Sequence, residues 1–237
     1  MTAPVLRTVT TRPGLELVVR EVGKGSPVLV LHGAPGPASI APLVEHLATG
    51  HRVLAPVHPG WDDTVRPDTL DSVAALASVY HDLLDQHGLD DVIVVGTSFG
   101  GWVAARMAVE DGPGRISRLV LMDAIGPEIP GQQFTPPSGA RSGPPVQMLA
   151  ALHAYTGPDM HDPSLLPRLS AVTCPVLVIW GADDTIVTPD FGRAYATAFP
   201  RGRFEPIPGA GHLPIREEPE AVFTALDRFL AGPATDA

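Results

Sequence analysis

Four short runs of uniformly apolar residues, Pro27–Leu31, Val92–Val95, Leu119–Met122 and Val176–Trp180, constrain this chain more than any other feature. A strand with one wet face alternates apolar and polar residues. A run that is apolar throughout is buried on both faces, as happens where helices cover both sides of a parallel sheet. The segments between the runs fit that arrangement. Ser72–His87 carries Val73, Leu76, Val79, Leu83 and Leu84 at helical spacing and stops at Gly88, and Trp102–Val109, Phe191–Ala198 and Pro219–Leu230 follow the same rule. A shorter helical pattern with Leu43 and Leu47 closes at Gly50. Val5–Thr10 and Leu15–Val22, split by Arg12-Pro13-Gly14, open the chain as a meander, and Arg52–Val57 and Arg203–Ile207 complete the strands. The expected class is α/β, with a mostly parallel eight-stranded sheet flanked by helices.

At 237 residues the chain fits a single domain. The alternation fails between Ile125 and Thr173, where Pro127, Pro130, Pro136, Pro137, Pro144, Pro145, Pro158, Pro163 and Pro167 surround one helical candidate, Val146–Tyr155. The expected division is a core of residues 1–124 and 174–237, with 125–173 inserted as a short cap or lid, since long loops inside compact folds usually serve the site.

A formal charge of −10 with a single lysine, Lys24, argues against a nucleic-acid partner, whose phosphates demand clustered cations. No basic leader followed by an apolar stretch opens the chain and no apolar run is long enough to span a membrane, so a cytoplasmic protein without a membrane partner is expected. The one cysteine, Cys174, has no pairing or metal-cage neighbour and is expected as a small buried side chain. His46, His51, His81 and His87 are expected on the solvated surface. His153, Asp159, His161 and Asp162 cluster in the insertion, but proline interrupts their backbone and no second ligand motif accompanies them, so no metal and no cofactor is expected.

The chemistry concentrates at Gly96-Thr97-Ser98-Phe99-Gly100, a Gly-x-Ser-x-Gly pattern between a buried strand and a helix. A sharp strand-to-helix turn strains the serine backbone, demands small neighbours and lifts the hydroxyl over the carboxyl edge of the sheet. A serine hydroxyl attacks only when a base takes its proton, so a histidine oriented by a carboxylate must follow. Two downstream strands end in suitable loops, Gly181-Ala182-Asp183-Asp184 and Gly209-Ala210-Gly211-His212-Leu213. The order serine, acid, histidine is that of nucleophile-elbow enzymes.

On these residues, together with His32-Gly33-Ala34-Pro35-Gly36 and Pro59-Gly60, the chain resembles the α/β-hydrolase superfamily over nearly all of its length outside the insertion. The resemblance implies an α/β-hydrolase fold with Ser98 as nucleophile, His212 as base, Asp184 as orienting acid, and the N–H groups of Ala34 and Phe99 as the oxyanion hole. Asp183 and Asp123 are the alternative acids, and His32 is expected to shape the turn presenting Ala34. His58 stands where the family pattern has an aspartate, and its role is open. Trp61, Met148, Tyr155, Ile186 and Leu213 are candidate pocket walls, with Phe99 beside them. The implied activity is cleavage of a carboxylic ester, lactone or thioester of a small to medium apolar molecule by a monomer or homodimer. The rival readings are carbon–carbon bond hydrolysis of the meta-cleavage type and a cofactor-free lyase or oxygenase using His212 and Asp184 as base. A non-catalytic binding module is the remaining alternative.

Overall fold

The computed structural model describes residues 5–112, 114–132 and 146–232. Its strands are β1 (Val5–Arg12), β2 (Leu15–Gly23), β3 (Pro27–Leu31), β4 (Arg52–Pro56), β5 (Val92–Thr97), β6 (Ile116–Met122), β7 (Gly126–Pro127), β8 (His161–Asp162), β9 (Val176–Gly181) and β10 (Gly202–Ile207). Eight of them form one sheet in the order β1-β2-β4-β3-β5-β6-β9-β10. Strand β2 is antiparallel to both of its neighbours, and the pairs from β4 to β10 are parallel. This is the expected fold. The apolar runs are buried on both faces because successive side chains go to opposite sides: Leu29 and Leu31 join one core, Val28 and Val30 the other.

Helices α1 (Ala41–Leu47) and α8 (Pro219–Leu230), with the short α7 (Pro214–Glu217), cover one face. Helices α2 (Val73–Gln86), α3 (Phe99–Glu110) and α6 (Pro189–Thr197) cover the other. Ser72 caps α2 by accepting from the Ala75 N–H at 3.2 Å, a contact of about 1 kcal/mol. Helix α3 starts at Phe99, three residues before its expected onset, because Gly100 and Gly101 hide the apolar period while the elbow itself launches the helix. Among the described residues no helix is long and apolar enough to cross a membrane.

The stretch between β6 and β9 holds more structure than its prolines predict. Besides α4 (Val146–Thr156) it contains α5 (Leu165–Arg168), a 3-10 turn over Leu169–Ala171 and a two-strand ladder pairing Gly126 with His161 and Pro127 with Asp162. Leu152, Tyr155, Met160, Leu165 and Leu169 are buried against the core that α2 and α3 share. Each such burial contributes about 1.5–3 kcal/mol, which offsets the ordering of a proline-broken backbone. Asp162, in the loop cluster considered for metal, binds Arg106 of α3 at 3.3 Å and accepts the Ser164 N–H and hydroxyl.

Candidate functional site

Ser98 sits between β5 and α3 with φ 49° and ψ −115°, a conformation that costs about 1–3 kcal/mol for a non-glycine residue. Its backbone is held in place from several sides. The Ser98 N–H donates to Met122 O at 2.8 Å, and its carbonyl accepts from Gly101, Trp102 and Ile125 at 3.0–3.3 Å. The tight crossing of strand and helix explains the small residues. A Cβ on Gly96 would strike the carbonyl of Gly100, and one on Gly100 would strike the carbonyls of Leu31 and His32.

The loops after β9 and β10 leave the same edge of the sheet and bring two side chains to the serine. His212 Nε2 lies 3.1 Å from Ser98 Oγ, and His212 Nδ1 lies 2.7 Å from Asp184 Oδ2. The Asp184 side chain is fully buried, and its other oxygen accepts the N–H groups of Ile186 and Val187 at 2.8 and 3.0 Å. Asp184 is therefore fixed on three sides while His212 keeps an edge open. Asp183, the neighbouring candidate, is exposed.

Asp123, at the end of β6, is also buried beside this line. One of its oxygens accepts the Gly181 N–H at 2.9 Å and the other is buried without a hydrogen-bond partner. Burial first, then the nearby Asp184 carboxylate, pushes its pKa well above the ordinary carboxyl range against the pull of the Gly181 N–H. Asp123, Asp184 and His212 each place one ligating atom within 4.8 Å of the others, the one such convergence among the described residues. Two of those groups, Asp184 and His212, share the hydrogen bond of the serine line.

The His32-Gly33-Ala34 loop leaves β3 next to Ser98: a Cβ on Gly33 would stand 3.1 Å from the Ser98 Cβ. His32 bonds within its own loop, Nδ1 to Gly33 O at 2.8 Å. His58 and Trp61, from the loop after β4, bind this loop as well. His58 Nε2 lies 2.9 Å from His32 O, His58 N–H donates to His32 Nε2 at 3.0 Å, and Trp61 Nε1 donates to Ala34 O at 2.9 Å. Tyr80 of α2 bonds His58 Nδ1. Burial lowers the His32 pKa to about 4 and holds that of His58 well below its ordinary value, so both rings are neutral at pH 7.

The candidate pocket residues differ in where the structure places them. Trp61, Phe99 and Tyr155 pack mutually with centroids 5.6–6.1 Å apart, Trp61 stacked on both of the others, and are buried core, with the Tyr155 hydroxyl donating to Pro59 O at 2.9 Å. Leu213 does line the small cleft at Ser98, about 20 Å³, together with Gly33, Ser39, Ile40, Thr97, Met122 and His212, whereas Ile186 is half-buried beside Asp184 outside it. The Met148 side chain lies outside the described residues. Ser39 and Ile40 had no sequence signal, since they belong to a 3-10 turn (Pro37–Ile40) whose proximity to Ser98 is purely tertiary. A larger cavity of about 510 Å³ lies between the 125–132 and 158–161 segments, with Phe191 at its wall. The histidines expected at the surface are half-buried: His46 pairs with Asp227 and stacks on Phe223, and His81 bonds Met107 O. Cys174 is half-buried, and burial raises its thiol to about 11.

Known proteins are similar to this chain in fold and sequence. A thermophilic esterase from Thermogutta terrifontis superposes with a TM-score of 0.74 at 30% identity, covering 97% of this chain and 98% of that one. A 2-hydroxy-6-oxo-2,4-heptadienoate hydrolase of Pseudomonas putida is 36% identical over 118 residues, 48% of this chain and 42% of the relative. The non-heme chloroperoxidase CPO-A1 of Kitasatospora aureofaciens is 34% identical over 130 residues, 50% of this chain and 44% of the relative. Several curated relatives are thus matched over only 25% to 44% of their own length. A model of the alpha/beta hydrolase family matches residues 28–225, from β3 into α8, and the chain belongs to that family.

Proposed function

We propose that the chain is a serine hydrolase that cleaves a carboxylic ester, lactone or thioester of a small to medium apolar substrate through an acyl-enzyme on Ser98. The observation that carries this reading is the unbroken line from Ser98 Oγ through His212 to Asp184, at 3.1 and 2.7 Å. His212 takes the Ser98 proton as Oγ attacks the carbonyl carbon, and Asp184 holds the imidazole in the tautomer whose Nε2 is free to accept. The Ala34 and Phe99 N–H groups receive the oxyanion. Phe99 is the first residue of α3, where N–H groups have no partner within the helix. The tetrahedral adduct collapses as His212 passes its proton to the leaving alcohol, and water deacylates the serine by the same route. The 125–173 segment acts as a cap beside the cleft.

A second reading, hydrolysis of a carbon–carbon bond in a vinylogous diketone, is favoured by the stretch shared with the Pseudomonas putida hydrolase. A p-nitrophenyl ester series from acetate to decanoate, run beside a vinylogous 1,5-diketone, separates the two. Efficient ester turnover, falling by about 10³-fold or more in Ser98→Ala, is expected. Turnover of the diketone alone overturns the ester reading, and full activity in a folded Ser98→Ala protein overturns both.

A further inference from the structure

Ala34 can serve an oxyanion only if its N–H is aimed, and the peptide that carries this N–H also carries the carbonyl of Gly33. In a trans peptide the two groups point in opposite directions, so whatever grips Gly33 O sets the direction of Ala34 N–H. Gly33 O is gripped twice, by His32 Nδ1 at 2.8 Å and by the Gly36 N–H at 3.0 Å. The tautomers of the buried rings follow from their partners. His32 Nδ1 faces a carbonyl, so it carries the proton, and His32 Nε2 is then free to accept from the His58 N–H. His58 Nε2 faces the carbonyl of His32, so it too carries a proton, which leaves His58 Nδ1 to accept from the Tyr80 hydroxyl.

We propose that His58 and Tyr80 are positioning residues for the oxyanion donor, acting through His32 to hold the Gly33–Ala34 peptide with its N–H directed at the site of Ser98. Every ring nitrogen and the hydroxyl in this chain has a partner, and each bond has one possible direction. A fully satisfied network of this kind admits a single arrangement, and hydrogen bonds into Gly33 O also polarise its peptide and sharpen the Ala34 N–H as a donor. His32 and His58 are completely buried, and the His58 ring is enclosed by His32, Trp61, Tyr80 and Phe99. The neutral state that burial imposes on both histidines is the one the two accepting nitrogens require. The proposal rests on the hydrolase reading for the use of Ala34.

The test compares His58→Gln, whose side-chain amide can still donate to His32 O, with His58→Leu, which cannot, and adds Tyr80→Phe. Each variant is checked for folding by circular dichroism. With a p-nitrophenyl ester, His58→Leu is expected to lose about tenfold or more in kcat with KM nearly unchanged, and His58→Gln to recover most of it. A folded His58→Leu protein with unchanged kcat, or a His58→Gln protein no better than His58→Leu, overturns the proposal. Nitrogen-15 shifts of the histidine rings give a readout independent of turnover. The wild type is expected to show His32 protonated at Nδ1 and His58 at Nε2, and His32 is expected to keep its Nδ1 proton in His58→Leu, where the backbone N–H of residue 58 still donates to His32 Nε2. The opposite His32 tautomer in the wild type overturns the proposal, whereas undiminished turnover in Ser98→Ala overturns only the hydrolase reading.

Discussion

The indole N–H of Trp61 donates to the carbonyl oxygen of Ala34 across 2.9 Å, so the loop after β4 ties down the loop after β3 at the residue proposed to stabilise the oxyanion. Trp61 is 4% exposed and stacks on both Phe99 and Tyr155, which themselves touch, so it is placed as a strut of the loop.

Trp61→Phe keeps the stacking ring and removes the donor. It is expected to cost about 1–2 kcal/mol of stability, the value of a buried hydrogen bond, and to lower kcat about 3- to 10-fold with little change in KM. Steady-state kinetics on one p-nitrophenyl ester, paired with a urea titration, checks this. A change confined to KM would return Trp61 to the pocket.

Burial, and then the Asp184 carboxylate, raises the Asp123 pKa, so as pH rises past the ordinary carboxyl range the folded state holds a proton that the unfolded chain releases. The resulting cost is absent at low pH and grows as pH rises past about 4. Asp123→Asn retains an oxygen for the Gly181 N–H and removes the titration. Its unfolding midpoint is expected to exceed that of the wild type by a margin larger at pH 8 than at pH 4, with kcat within about threefold. A margin that is no larger at pH 8 than at pH 4 contradicts a raised Asp123 pKa.

The buried histidines act in the opposite direction. His32 binds a proton near pH 6.5 when unfolded but only at about 4 when folded, so between those values the unfolded chain carries more protons. The stability present above about pH 7 is expected to fall as pH drops through that window, by about 3 kcal/mol for His32 alone, with His58 adding in the same direction. Urea midpoints at pH 7.5, 6, 5 and 4.5 read the slope, and His58→Gln should flatten it. Equal slopes in the two proteins would place the titration elsewhere.

The sheet was legible because burial on both faces leaves no polar residue in the runs Pro27–Leu31, Val92–Val95, Leu119–Met122 and Val176–Trp180 of β3, β5, β6 and β9, a pattern that periodicity cannot confuse with a surface strand. The serine, acid and histidine were legible for a related reason: each lies in the first loop residues after a recognisable parallel strand. The rest depends on distances that no local pattern encodes. Tyr80 occupies an ordinary apolar position of α2, and nothing in its neighbours announces a hydroxyl bonded to His58. Trp61 and Tyr155 were legible as apolar residues near the site but not as a stack that closes upon itself, and the insertion's prolines concealed a segment packed on the core.

The most direct measurement is covalent capture. A fluorophosphonate probe, followed by intact-mass analysis and peptide mapping, should add one phosphonyl group to Ser98 in the wild type. The rate should fall sharply in His212→Ala, and Ser98→Ala should show no adduct. A folded, wild-type protein that remains unlabelled, or that is labelled on another residue, would contradict an acyl-enzyme formed on Ser98.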